Sequence, residues 1–193
     1  MTDPADPAPS PEVVAVGAAT VDRFYGVTNL PEPDGGAFAR EATERFGGVG
    51  ANVATGLAKL GRDTALLGRL GDDDLGDRVL ADLKAGPVST ALIRRGQGTT
   101  THCVILRGPD GERMIVTAGD STVNLGLDDA DRAALRSADA VFVTAYAPDR
   151  VTSEVVEIAA EPDGPALAFD LSGPLEELRG RGTERATIDR MVE

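Results

Sequence analysis

Apolar residues along this 193-residue chain follow two rhythms. Val13-Val14-Ala15-Val16-Gly17 is a short apolar run stopped by glycine, the pattern of a strand buried on both faces. Thr64-Ala65-Leu66-Leu67-Gly68 repeats it. Between the two, Val53, Leu57 and Leu60 fall at helical spacing, with Gly61 where a C-cap is expected. After Asp72-Asp73-Asp74 the same spacing carries Leu75, Val79, Leu80 and Leu83 as far as Gly86. Carboxylates at that helix start complement the helix dipole. Strand and helix alternating in this way predict a parallel, doubly wound sheet.

The rhythm changes twice. Residues 23–27 and 36–46 show weak alternation on either side of the turn-rich Pro31-Glu32-Pro33-Asp34-Gly35, and read as strands of a small accessory sheet. Residues 91–95, 101–107 and 112–117 also read as strands. The last two are joined by Gly108-Pro109-Asp110-Gly111, whose Asp-Gly step between apolar runs signals a hairpin. The α/β pattern then returns: helix 128–137, strand 140–144, helix 150–160, strand 166–170 and a helix over 183–193. The predicted organisation is a disordered, proline-punctuated tail over 1–12 and one domain over 13–193, with lid strands within 23–46 and 91–117. No internal repeat interrupts it.

Composition narrows the partners. A net charge of −13 argues against a nucleic acid, which needs a basic face. Lys59 and Lys84 are the only lysines, arginine carries the positive charge, and aspartate outnumbers glutamate. That bias resembles proteins of salt-loving organisms; an ordinary acidic surface from a GC-rich genome fits it as well. The N-terminus has neither a basic n-region nor an apolar h-region, and no apolar run nears the about 18 residues of a membrane span. A cytoplasmic protein without a membrane partner is expected. Cys103 is the sole cysteine, which excludes an intramolecular disulfide, and its apolar setting predicts a buried thiol.

The candidate chemistry gathers around Phe46–Asn52. Gly47, Gly48 and Gly50 let the backbone come close to a ligand, and Asn52 offers a donor and an acceptor, or else an N-cap. The dinucleotide fingerprint fails, since Val53 stands where its third glycine belongs, and the Walker pattern is missing. Asp22 is expected in the loop leaving the carboxyl end of the first strand, where open α/β sheets bind ligands. A plain loop or capping carboxylate is the alternative. The lone His102 lies in a lid-strand pattern and suits packing better than acid-base work.

Gly47-Gly48-Val49-Gly50-Ala51-Asn52, then Ala54, Leu60-Gly61 and Gly68-Arg69-Leu70-Gly71-Asp72-Asp73 resemble the N-terminal signature of the ribokinase-like (PfkB) carbohydrate kinases. The strand leading to Asp22, Thr99-Thr100-Thr101 and Gly111-Glu112-Arg113 extend the resemblance. It implies a Rossmann-like, mostly parallel α/β core with a small β lid. It also implies ATP-dependent phosphoryl transfer to a hydroxyl of a sugar or nucleoside, with ATP and Mg2+ as cofactors. Carried over, Asp22 and Asn52 would hold substrate hydroxyls, with Thr20 beside Asp22, and Gly47 and Gly48 would let the backbone close on the sugar. Tyr146 would stack on the ligand, hydrogen-bond it, or simply pack.

This sequence departs from the ribokinase pattern in two places, with Val49 for a lysine and Tyr146 for a substrate-facing glutamate. The family's catalytic Asp-Thr-x-Gly-Ala-Gly-Asp loop and its Asn-x-x-Glu motif are not found. Thr117-Ala118-Gly119-Asp120 imitates the loop but follows a lid strand, so Asp120 is rejected as the base. The resemblance therefore covers the N-terminal portion, with the C-terminal part missing, no catalytic residue and no metal ligand assigned. The chain alone is predicted to be inactive. The alternatives are a non-catalytic sugar or nucleoside sensor, or part of a nucleoside kinase; a homodimer through the β lid is a further expectation.

Overall fold

The computed structural model describes residues 11–178 and 181–192. In chain order the elements are β1 (Val13–Val16), β2 (Thr20–Val27), β3 (Ala39–Gly47), α1 (Val49–Lys59), β4 (Thr64–Gly71), α2 (Asp74–Ala85) and β5 (Ile93–Gly96). The lid hairpin β6 (His102–Arg107) and β7 (Arg113–Ala118) comes next. Then follow α3 (Asp129–Ser137), β8 (Ala140–Thr144), α4 (Asp149–Ala159), β9 (Ala166–Asp170), α5 (Leu175–Leu178) and α6 (Arg185–Val192).

Five of the strands form one parallel sheet in the order β5-β4-β1-β8-β9. Its apolar runs are continuous because both faces are covered. On one face Val14, Val16 and Val143 join Leu135 of α3 and Val151, Val155 and Ile158 of α4. On the other, Ala15, Leu66 and Leu70 pack with Ala51 and Ala54 of α1 and Val79 and Leu83 of α2. The second sheet, β3-β2-β6-β7, pairs β2 parallel to β6 and the remaining neighbours antiparallel. Apart from Gly47, every residue of β3 is exposed, as is all of β7. That exposure explains the weak alternation of the lid strands: a sheet open to water imposes little pattern.

Several expectations change. Residues 91–95, expected among the lid strands, instead supply β5, which pairs with β4 at the edge of the large sheet. Asp22 is not in a loop: β2 begins at Thr20 and carries it. The expected tail ends earlier, because the Glu12 carbonyl accepts from Asp139 and Ala140 and its carboxylate from the Asp63 N–H at 3.0 Å. Residues 1–10 of that tail and Glu193 of the last helix lie outside the described residues. Cys103 is half-buried rather than enclosed. Helix α5 had no sequence signal at four residues. Among the described residues no helix is long and apolar enough to cross a membrane.

The lid is tied to the core through Asp73. This N-cap of α2 accepts from the Gly76 N–H at 2.8 Å, the Thr100 N–H at 2.8 Å and the Thr100 hydroxyl at 2.5 Å. Burial pushes its carboxyl up, but the Thr100 hydroxyl and the two N–H groups outweigh it and hold it below the ordinary aspartate value. A depressed carboxyl contributes stability above its unfolded pKa, and that contribution is lost as pH falls through the folded value. Asp73→Ala is therefore expected to cost about 1–2 kcal/mol at neutral pH. Denaturant melts of both proteins should converge once the pH falls below the folded value.

Candidate functional site

The glycines of the 47–50 corner are fixed by close packing. Gly48 caps α1 at φ +94° without a side-chain bond, and the Ala18 carbonyl occupies the place where its Cβ would go. A Cβ on Gly47 would run into the Asp22 carboxylate, and one on Gly50 would lie 2.8 Å from the Gly17 backbone. So α1 starts directly against the carboxyl end of β1, with the Ala51 N–H on the Ala18 carbonyl at 3.1 Å.

Asp22 stands beside this corner on β2. The Thr20 hydroxyl donates to its Oδ1 at 2.7 Å. Across the lid it is paired with Arg45 on β3 and with Cys103 on β6, which is in turn opposite Thr117 on β7. Burial raises the Cys103 thiol, and the Asp22 charge adds to this against a bond with Thr117. Cys103 is thus a poor nucleophile.

A cavity of about 250 Å³ opens between the carboxyl ends of β1 and β8, the lid and the 119–123 turn. Thr20, Gly48 and Tyr146 of the expected set line it, whereas Asp22 stands two residues along the same strand from Thr20. Gly47 and Asn52 line a different groove, of about 380 Å³, bordered by Lys59 and Asp82 of α1 and α2. Asn52 is neither the N-cap nor in the cavity; it is an exposed residue of the first turn of α1. The helix begins four residues earlier than the apolar spacing from Val53 implied, at Val49, and this places Asn52 in the groove rather than in the cavity.

The structure adds residues that the sequence did not assign to a site: Thr101, Thr117, Thr122, Thr144, Glu177 and Arg181 also line the cavity. Ser172, at φ +64°, bonds Thr144 Oγ1 at 2.7 Å and donates to Asp170 Oδ2 at 2.9 Å. The position of Thr144 and Asp170 at the carboxyl ends of parallel strands was the available signal. Asp120 accepts from the Thr99 N–H at 2.7 Å, tying together the two ends of the lid hairpin. His102 Nδ1 donates to the Thr100 carbonyl at 3.1 Å. Among the described residues, no three His, Cys, Asp or Glu side chains gather as a metal ion would require.

A sequence profile described as pfkB family carbohydrate kinase matches residues 10–170, which takes in both sheets and the cavity lining except Glu177 and Arg181. The chain belongs to the pfkB family. It is 34% identical over 161 residues to an ATP-dependent ribose-1-phosphate kinase of Halopiger xanaduensis, covering 82% of this chain and 53% of that one. Among solved structures, Arabidopsis thaliana ribokinase complexed with ribose and ATP superposes with a TM-score of 0.74 at 28% identity, covering 86% of this chain and 55% of that one. Fructokinase of Halothermothrix orenii shares the fold at a TM-score of 0.76 and 23% identity, with 94% and 64% covered. This pfkB chain thus has the ribokinase-like α/β fold, and spans about half the length of the relatives it matches.

Proposed function

We propose that this chain forms the acceptor-sugar site of an ATP-dependent carbohydrate kinase. One observation carries the proposal: Asp22, oriented by Thr20, is seated against the Gly47–Gly48 corner, beside a cavity between a parallel sheet's carboxyl ends and a lid. A carboxylate held in this way accepts hydrogen bonds from neighbouring sugar hydroxyls, and a charge-assisted bond is stronger than a neutral one. Gly48 contributes its backbone to the cavity wall. Tyr146 presents an aromatic wall.

ATP would supply the phosphoryl group, with Mg2+ offsetting its charge. The described residues hold no acidic cluster for the ion, and the one carboxylate and one guanidinium on the cavity wall, Glu177 and Arg181, are exposed. Asp120 accepts from the Thr99 N–H at 2.7 Å, and no base is assigned among the described residues. The chemistry assigned to these residues is binding and orientation of the acceptor.

Isothermal titration of the 193-residue protein with pentoses and hexoses, without ATP, tests the reading. Saturable binding is expected, weakened at least about tenfold in Asp22→Ala by loss of a charge-assisted bond. Asp22→Asn, which retains the volume, should fall between the two, and circular dichroism checks that both variants fold. No ADP should form when sugar and ATP are added together. Equal binding by wild type and Asp22→Ala would remove Asp22 from the site, and sugar-dependent ADP formation would refute the purely binding role.

A further inference from the structure

We infer that Arg78, an exposed residue of α2, is a positioning residue for Asp22: it grips the lid strand β3 on one face and so fixes what stands against the carboxylate on the other. The inference rests on the sugar-site reading above and adds to it a residue outside the cavity. Strand β3 has little else to hold it. Apart from Gly47 all its residues are exposed, and as an edge of the lid sheet it pairs with β2 alone. Side chains alternate between the faces of a strand, so Glu44 and Phe46 share one face and Arg45 and Gly47 the other. Arg78 meets the first face at two points. Its guanidinium donates to Glu44 Oε1 and lies 5.9 Å from the centre of the Phe46 ring. Arg23 of β2 donates to the other oxygen, Glu44 Oε2, at 3.2 Å. Arg78 foremost, then Arg23, hold the Glu44 carboxyl below the ordinary glutamate value. Among the described residues, Arg78 is the one helix residue whose side chain hydrogen-bonds to β3.

The other face of β3 meets the acceptor site. Gly47 directly follows Phe46, and a Cβ on it would run into Asp22 Oδ2. Thr20, opposite Gly47 in the strand register, lines the cavity and donates to Asp22 Oδ1 at 2.7 Å. Each oxygen of the carboxylate therefore has its own neighbour, the Thr20 hydroxyl on β2 and the Gly47 backbone on β3. The first moves with Asp22, since both belong to one strand. The second moves with β3, and Arg78 decides where β3 lies. An exposed ion pair adds little to stability, and a cation over an aromatic ring adds only modestly. Hydrogen bonds, however, weaken steeply as their angle departs from linear, so a small shift of the Gly47 backbone changes what Asp22 can offer a sugar hydroxyl. The contacts of Arg78 thus act on the placing of the carboxylate more than on the fold.

A double-mutant cycle on the 193-residue protein tests this, read by titration calorimetry with the pentose or hexose that wild type binds most tightly. Arg78→Ala should weaken binding about fivefold while the thermal midpoint stays within about 2 °C of wild type. If Arg78 acts through Asp22, the same change in an Asp22→Asn background should alter affinity by less than about twofold. A merely structural role would cost the same factor in both backgrounds. Glu44→Gln, which removes the ion pair and leaves Phe46 in place, should weaken binding about twofold. Arg78→Ala binding as tightly as wild type, or losing the same factor with and without the Asp22 carboxylate, overturns the inference and leaves the sugar site standing. If wild type binds no sugar, the sugar-site reading falls and this one with it. Should Arg78→Ala fail to fold, Glu44→Gln decides in its place, and affinity equal to wild type overturns the inference.

Discussion

Gly48→Ala is expected to unfold this protein more readily than any surface substitution and to abolish sugar binding in the fraction that remains folded. At φ +94° and ψ 137° the backbone lies where an L side chain is strained, and the Ala18 carbonyl occupies the Cβ position. Strain of this kind costs about 1–3 kcal/mol, and the displaced carbonyl adds to it. Thermal melts should show a fall of roughly 5–10 °C for a chain of this size. The corner cannot yield in one place only, because Ala18 also accepts the Ala51 N–H and Gly17 abuts Gly50. Relief of the clash would move the start of α1 away from β1, and with it the wall that Gly48 and Val49 give the cavity.

Gly56 provides the control. It lies in the exposed interior of α1 with nothing within 4 Å of an added Cβ. Gly56→Ala should stabilise by up to about 1 kcal/mol, since alanine is the better helix former. Opposite signs for two glycine-to-alanine changes in one segment would show that local geometry decides. A Gly48→Ala protein as stable as wild type would refute the packed corner.

The same corner shows what could be read from the sequence. The inner strands of the parallel sheet are legible because both faces are covered, and β1, β4 and β8 lie where their apolar runs predict, as does the more exposed edge strand β9. Lid strands were found with less definition, since β3 and β7 bury little and their composition records little. The glycines signalled a close approach, and the structure identifies what approaches: Ala18, Asp22 and Gly17 of the protein itself. Asn52 lines the neighbouring groove with Gly47, a placement that depends on where α1 begins. A one-residue change in that start rotates a side chain by about 100°. The hydroxyl lining was illegible for another reason. Thr101, Thr117, Thr122 and Thr144 come from three separate segments, and only the return of the lid onto the sheet brings them together.

Arg94→Ala is the second large effect, and it acts far from the glycine corner. Asp131, in the first turn of α3, is fully buried and paired with Arg94 of β5, which also reaches Asp128 Oδ2 at 3.0 Å. The Asp128 N–H bonds the Asp131 carboxylate at 3.0 Å, closing a reciprocal capping box. Burial pushes the Asp131 carboxyl up, opposed by that N–H and by Arg94. Truncating the arginine leaves a buried charge with one remaining donor, which costs about 3 kcal/mol, the low end for such pairs because Arg94 itself reaches water. The pH dependence distinguishes charge from packing. In the variant the folded pKa of Asp131 rises further above its unfolded value. The associated stability is then fully present below the unfolded pKa and is lost as pH rises through the folded one. The deficit relative to wild type should therefore be large at pH 7 and shrink as the solution is acidified into the carboxylate range. Adding Asp131→Asn should recover much of it at pH 7, whereas a deficit that neither acid nor the second substitution reduces would mean that Arg94 acts through its contacts alone.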